Sequence, residues 1–163
     1  MYPFLIFLHV LSIFGFLFAH GVSAAVMFKV RAEHEPARLH ALLDLSQALS
    51  AAMGLTALLL FVTGLILGFM GQWWARGWIW LSLILFVALS VVMSVLGRPY
   101  LERIRAAIGI GTVEQQRQKT PPSPALPPDE LAVVLASGRP MLVAAVGLGG
   151  LVIITWLMLY KPF

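Results

Sequence analysis

Four stretches of this chain carry no Asp, Glu, Lys or Arg: residues 1–28, 45–75, 77–97 and 140–160. A bilayer core is crossed by about 20 residues of helix, so each stretch is long enough to span it. Lipid offers no hydrogen bonds, and an open segment must satisfy its own backbone groups, which only a helix does. The composition agrees: 60% of the 163 residues are hydrophobic and 11% charged, against roughly 25% charged in a soluble domain. The expected fold is therefore all-α, a single integral membrane four-helix bundle. Its helices are expected at about 3–30, 37–71, 76–99 and 140–160, with a Pro-rich loop over 106–139.

The first stretch lacks a positive n-region, and its apolar run exceeds the usual h-region of a signal peptide, so it reads as the first membrane helix. Basic residues set the expected orientation. Lys29, Arg31 and Arg38 lie between the first and second stretches, and Arg98, Arg103, Arg105, Arg117, Lys119 and Arg139 between the third and fourth. Only Arg76 and Lys161 lie on the other side. The bias places both long loops in the cytoplasm and both termini outside. Trp73, Trp74, Trp78, Trp80 and Trp156, with Tyr2 and Tyr160, all fall at the expected outer end, as interfacial anchors do. The pI near 10.0 is thus a matter of topology, and no nucleic-acid partner is expected.

The loops carry their own signals. Glu35-Pro36 reads as a helix start with Pro in the first turn. Beyond it Leu39, Leu42, Leu43 and Leu49 can cover one side while Arg38, Asp44 and Gln47 stay wet. TPPSPALPPDE, residues 120–130, holds five of the ten prolines and reads as a polyproline-like spacer. After it Asp129 is expected to cap a short helix running through Ser137 and ended by Gly138. Gly-Arg-Pro recurs at 97–99 and 138–140, which puts Arg98 and Arg139 at the membrane edge, where lipid phosphates lie.

Within FLHVLSIFGFLFAHGVSAAVMF, residues 7–28, two histidines sit among apolar residues. On a helical wheel His9 and His20 fall about 20° apart, roughly 16.5 Å along the axis. Ser12, Phe16, Ser23 and Met27 share their face, so the polar side chains form one stripe. That stripe must face protein or water. One reading is packing: an interior histidine bonds a Ser or Thr of a neighbouring helix. The other is function, with b-type haem ligation first, then copper, then a proton relay.

Depth matching supplies candidate partners. At the level of His20 lie Met53, Gly54, Ser90, Met93, Gly149 and Gly150. At the level of His9 lie Gly64, Gly68, Ser82 and Thr155. The candidate cofactor-binding residues are His9, His20, Met53 and Met93, with the histidines as iron or copper ligands. No second histidine shares either depth, since His34 and His40 belong to the loop. A bis-histidine site would therefore need a homodimer, and His20 with Met53 or Met93 is the expected pair within one chain. A chlorophyll, with one axial ligand, stays open. The glycines have a packing reading too, because Gly64-x-x-x-Gly68 is a small-xxx-small pair.

Other chemistry is poorly represented. There is no cysteine, hence no disulfide or thiolate site. No Gly-x-Ser-x-Gly elbow or phosphate loop occurs, and Gly109-Ile110-Gly111 is only a loop start. No broken-helix pair or buried membrane charge marks a transport path.

LHVLSIFGFLFAHG, residues 8–21, resembles the first helix of a bacterial family of predicted integral membrane proteins of unknown function. These small four-helix proteins are distantly similar to the copper-resistance D membrane domain. In that wider group the first helix reads Leu-His and later a small-residue pattern ending in Gly. Leu8-His9 and His20-Gly21 match, whereas the tryptophan and double glycine of the copper-resistance version are absent here. The resemblance implies a protein of the bacterial inner membrane and assigns no reaction. Four-helix b-type cytochromes are similar in shape. An electron-transfer haem protein is one expected function. An accessory subunit of a larger membrane complex is the alternative, and copper or proton handling a further one.

Overall fold

The computed structural model describes residues 1–163, and every regular element in it is helical. The order is α1 (Tyr2–Arg31), α2 (Pro36–Met70), a 3-10 turn (Trp73–Ala75), α3 (Gly77–Ala107), α4 (Val113–Gln118), α5 (Pro128–Leu135) and α6 (Arg139–Tyr160). Four of these segments are long and apolar enough to cross a membrane. Only 25 of the 163 residues are buried within the chain. Large side chains such as Phe4, Phe14, Phe18, Leu55 and Leu148 stand exposed along the long helices. An apolar surface of this extent suits a lipid solvent rather than water.

The bundle is built as two pairs. α1 packs along α2, and α3 packs along α6. Between the pairs, α1 touches α6 and α2 touches α3 only sparsely. At the loop end they share the largest buried cluster. It joins Val26, Met27 and Val30 of α1 to Leu39 and Leu43 of α2, and both to Tyr100, Ile104 and Ala107 of α3. Leu131 and Leu135 of α5 close it from outside. At the opposite end Trp78, Ile79 and Leu157 are buried together, with Trp73 and Trp74 packed against them. The Lys161 ammonium lies 4.7 Å from the centre of the Trp73 ring, and the Trp78 backbone N–H donates to the Phe163 carbonyl. Both termini and the aromatic belt thus share one end.

Helix boundaries differ from the sequence expectation in two places. α3 does not stop at 99; it runs to Ala107 with Pro99 inside. Proline removes one backbone donor and disfavours the helix before it. Here the last two turns bury Tyr100, Ile104 and Ala107, and that burial outweighs the local cost. Gly109 and Gly111 then end the helix at φ +76° and +77°, a region that residues with a side chain rarely adopt.

The connection over 106–139 is not a bare spacer. Thr112 and Gln115 form a reciprocal capping box that starts α4. The proline run leaves residues 120–127 without helix, and the Leu126 N–H donates to the Ala107 carbonyl, tying the segment to the end of α3. α5 begins on Pro127, not Asp129, because Pro128 takes the first helical position. It ends at Leu135, and the Ser137 hydroxyl accepts from the Arg139 N–H at the start of α6.

The other turn follows the sequence closely. Glu35 caps α2 with Pro36 at the first position, and Arg38 pairs with Glu35 at 2.8 Å. Glu33 accepts from the N–H groups of Glu35 and His34, and the Glu35 bond chiefly holds its carboxyl below the usual carboxylate range.

Candidate functional site

The polar stripe of α1 turns inward along its whole length. Ser12 donates to the Leu8 carbonyl within its own helix, and Ser23 meets Ser46 of α2 at 3.3 Å. The two histidines part company. His9 Nδ1 lies 2.8 Å from Thr63 Oγ1 on α2. A methyl at Gly64 would stand 3.3 Å from the His9 ring, so that glycine is what lets the ring reach α2. Thr63 Oγ1 also lies within hydrogen-bond reach of the Leu59 and Leu60 carbonyls of its own helix. The Thr63 contact ties His9 to α2 through Nδ1, and His9 does not line the groove that holds the other candidate ligands.

His20 is different. Its ring stacks on Phe16, with centroids 5.8 Å apart and planes 10° from parallel. Neither ring nitrogen has a hydrogen-bond partner. A methyl at Gly147 of α6 would lie 3.1 Å from His20 Nε2 and 3.5 Å from Met93 Sδ, so an imidazole nitrogen and a thioether flank one point. Sequence depth matching reaches Met93 but places Gly149 and Gly150 at this level, where Gly147 stands instead.

His20 is also on the wall of a cavity with mixed lining, a groove of about 700 Å³ along the α2–α3 seam that α1 and α6 also line. The α3 wall follows helical spacing: Phe86, Ser90, Met93, Gly97, Leu101 and Arg105 each lie three or four residues apart. The facing wall of α2 is made mostly of small or polar residues, Ser46, Ser50, Gly54 and Ala57 among them, with Leu43 and Met53 as its larger apolar members. His20 and Met27 close the floor from α1. The groove is graded. Its closed end is apolar, where Phe86 meets Phe16 and stacks on Phe61 at 6.2 Å. Its loop end carries Gln47, Arg98, Glu102 and Arg105. Beyond the Phe61–Phe86 stack a second cavity, wholly apolar, runs toward Trp74 and Trp80.

Of the expected site residues, His20, Met53 and Met93 come together on this groove, and His9 does not. Arg98 opens onto the groove mouth, while Arg139 lies at the start of α6 outside it. Arg105, Ser50, Ser94 and Glu102 were not singled out from the sequence. For the three on α3 a signal exists: Ser90, Ser94, Arg98, Glu102 and Arg105 recur every three or four positions. No three His, Asp or Glu side chains gather anywhere as a hard metal site. The donors on the groove are one imidazole and three thioethers, a set that suits haem iron or copper(I).

The chain matches no family model, no curated protein and no solved structure.

Proposed function

We propose that this chain is a multi-pass protein of the bacterial inner membrane that binds a tetrapyrrole in the α2–α3 groove, with both termini outside. The observation that carries the reading is the unpartnered imidazole of His20 beside Met93 on an apolar-ended cavity with arginines at its mouth. Ligand cavities span about 300–1,000 Å³ and combine apolar walls with a few convergent polar groups. The groove has that size and that grading. A polar intramembrane side chain without a partner is expensive unless it serves a ligand.

His20 would hold the iron, with Met93 or Met53 as the second donor. A bound haem would supply one-electron chemistry at a potential set by its axial ligands. The residues of the chain orient it and exclude water, the Phe16–Phe61–Phe86 group closing one end. His9, bonded to Thr63 through Nδ1, has a structural part. The nine-to-two split of basic residues between the two sides supports the orientation.

The juxtaposition of His20 Nε2 and Met93 Sδ at Gly147 favours a second reading, copper(I) held by His20 and methionines. A third is an accessory subunit whose stripe only packs, as His9 does. One set of measurements separates them: an absorption spectrum of detergent-purified protein, oxidised and dithionite-reduced, with metal analysis on the same sample. A Soret band with reduced α and β bands, lost in His20→Ala and kept in His9→Phe, supports haem. Stoichiometric copper without those bands supports the second reading. A colourless, metal-free protein from haem-replete cells, unable to take up added haemin, refutes both.

A further inference from the structure

Arg105 is 3% exposed, yet its guanidinium is poorly paired. Its Nε–H donates to the Gly111 carbonyl at 3.3 Å, and Nη1 and Nη2 both reach the single oxygen Asp44 Oδ1 at 3.5 Å. Good N–H···O bonds run at about 2.7–3.2 Å, and a guanidinium has five N–H donors. All three contacts are long, and two donors have none. Asp44 is itself shared, because His40 Nε2 lies 3.2 Å from its other oxygen. Buried donors left this open call for an acceptor.

Arg105 is among the residues that line the loop end of the groove. Arg98 lies there too, seven residues earlier, exposed and without an ion-pair partner. Two helical turns separate the two arginines, about 10.5 Å along one face of α3. Glu102 lies between them, but its carboxylate is turned to the Val113 N–H at 2.9 Å. At the loop end of this apolar-ended cavity Arg105 is thus only loosely paired, with Asp44, and Arg98 has no ion pair, while the one carboxylate between them, Glu102, accepts from the Val113 N–H.

We infer that the groove takes a tetrapyrrole as its free dicarboxylate, the acid groups held by Arg105 and Arg98 while the ring lies toward Phe86. This rests on the tetrapyrrole reading and narrows it: ester-capped pigments of the chlorophyll kind are excluded. A carboxylate accepts two hydrogen bonds from one guanidinium, and such charge-assisted pairs are the strongest available there. An ester offers no charge and leaves the buried donors of Arg105 open.

The test is a titration of full-length protein in detergent micelles with metal-free protoporphyrin and with its dimethyl ester, read by porphyrin fluorescence against empty micelles. The wild type should bind the free acid at least tenfold more tightly than the ester, the factor expected when even one of the two charge-assisted contacts is lost. Arg98→Gln should reduce that preference, and Arg105→Lys should keep more of it than Arg105→Gln. Because Arg98 is exposed and unpaired, its variant tests the inference even where Arg105→Gln fails to fold. His20→Ala should keep the acid preference for the metal-free ring. Equal affinity for acid and ester, with haemin still giving His20-dependent bands, overturns the inference and leaves the tetrapyrrole reading standing. Binding of neither porphyrin nor haemin overturns both.

Discussion

α6 carries three glycines whose surroundings differ, and replacing each with alanine makes a graded test of the packing. Every Gly→Ala change in a helix interior gains up to about 1 kcal/mol of helix propensity. The steric side differs. At Gly149 the added methyl meets nothing within 4 Å, so Gly149→Ala should stabilise by the full amount. At Gly147 it would stand 3.1 Å from His20 Nε2 and 3.1 Å from Met93 Cε. Both are far ends of side chains, and a few tenths of an ångström relieve the overlap, so gain and cost nearly cancel. At Gly150 the methyl would meet Leu89 at 2.6, 2.8 and 3.2 Å, three atoms of one branched side chain. Overpacking of this kind costs about 1–3 kcal/mol, for a net loss of about 1–2 kcal/mol after the propensity gain. Equilibrium unfolding in mixed micelles, followed by tryptophan fluorescence, should therefore rank Gly149→Ala above wild type, Gly147→Ala level with it and Gly150→Ala below. A Gly149→Ala loss as large as that of Gly150→Ala would refute the exposed position of Gly149 and show that another helix covers it.

Three further outcomes are expected. Thr63→Val removes the partner of His9 and should cost about 0.6–2 kcal/mol, with a His9→Phe/Thr63→Val double-mutant cycle showing coupling between the two sites; additive losses would deny the bond. Ile104→Ala empties a fully buried position in the loop-end cluster and should cost about 2–5 kcal/mol in the same unfolding assay, while Val133→Ala, exposed on α5, should cost little. Because the chain has no cysteine, single cysteines report topology directly. A membrane-impermeant maleimide applied to intact spheroplasts should label Gln72→Cys and spare Gln116→Cys; the reverse pattern would overturn the orientation.

How much of this was legible in the sequence depends on how local each cause is. The four long helices are visible because a bilayer demands uninterrupted apolar length, and that demand is written residue by residue. The start of α2 at Pro36 is equally local. The end of α3 is not. Pro99 argues for a stop, and only the burial of Tyr100 and Ile104 against α1, α2 and α5 carries the helix to Ala107. Burial across four elements has no local signature. The start of α5 went astray for a smaller reason: Asp129 is a good cap, but Pro128 occupies the position that a helix start prefers for proline. At the site, helical periodicity put His9 and His20 on one face. It could not show that His9 finds Thr63 and His20 finds nothing. That difference depends on the rotation of α2 and α6 about their axes, which single-helix patterns leave free.

The cavity itself follows from a contrast between the ends of the α2–α3 seam and its middle. Small residues usually let membrane helices approach closely, and here they face each other across the seam: Ser50, Ala51 and Gly54 against Ser90, Ser94 and Gly97. The helices nevertheless stay apart. The Phe61–Phe86 stack props them at one end, and the Tyr100–Ile104 cluster fixes them at the other. Small side chains between two bulky supports leave a space rather than a contact. Gly54 sits on that space, and a methyl added there meets nothing within 4 Å. Gly54→Leu should therefore fold as well as wild type, with propensity in its favour by several tenths of a kcal/mol. It should weaken occupancy of the groove at least tenfold, read by porphyrin titration beside the unfolding assay. If the seam instead closes whenever it is empty, the leucine would have no room, and Gly54→Leu would unfold with the penalty of an overpacked core.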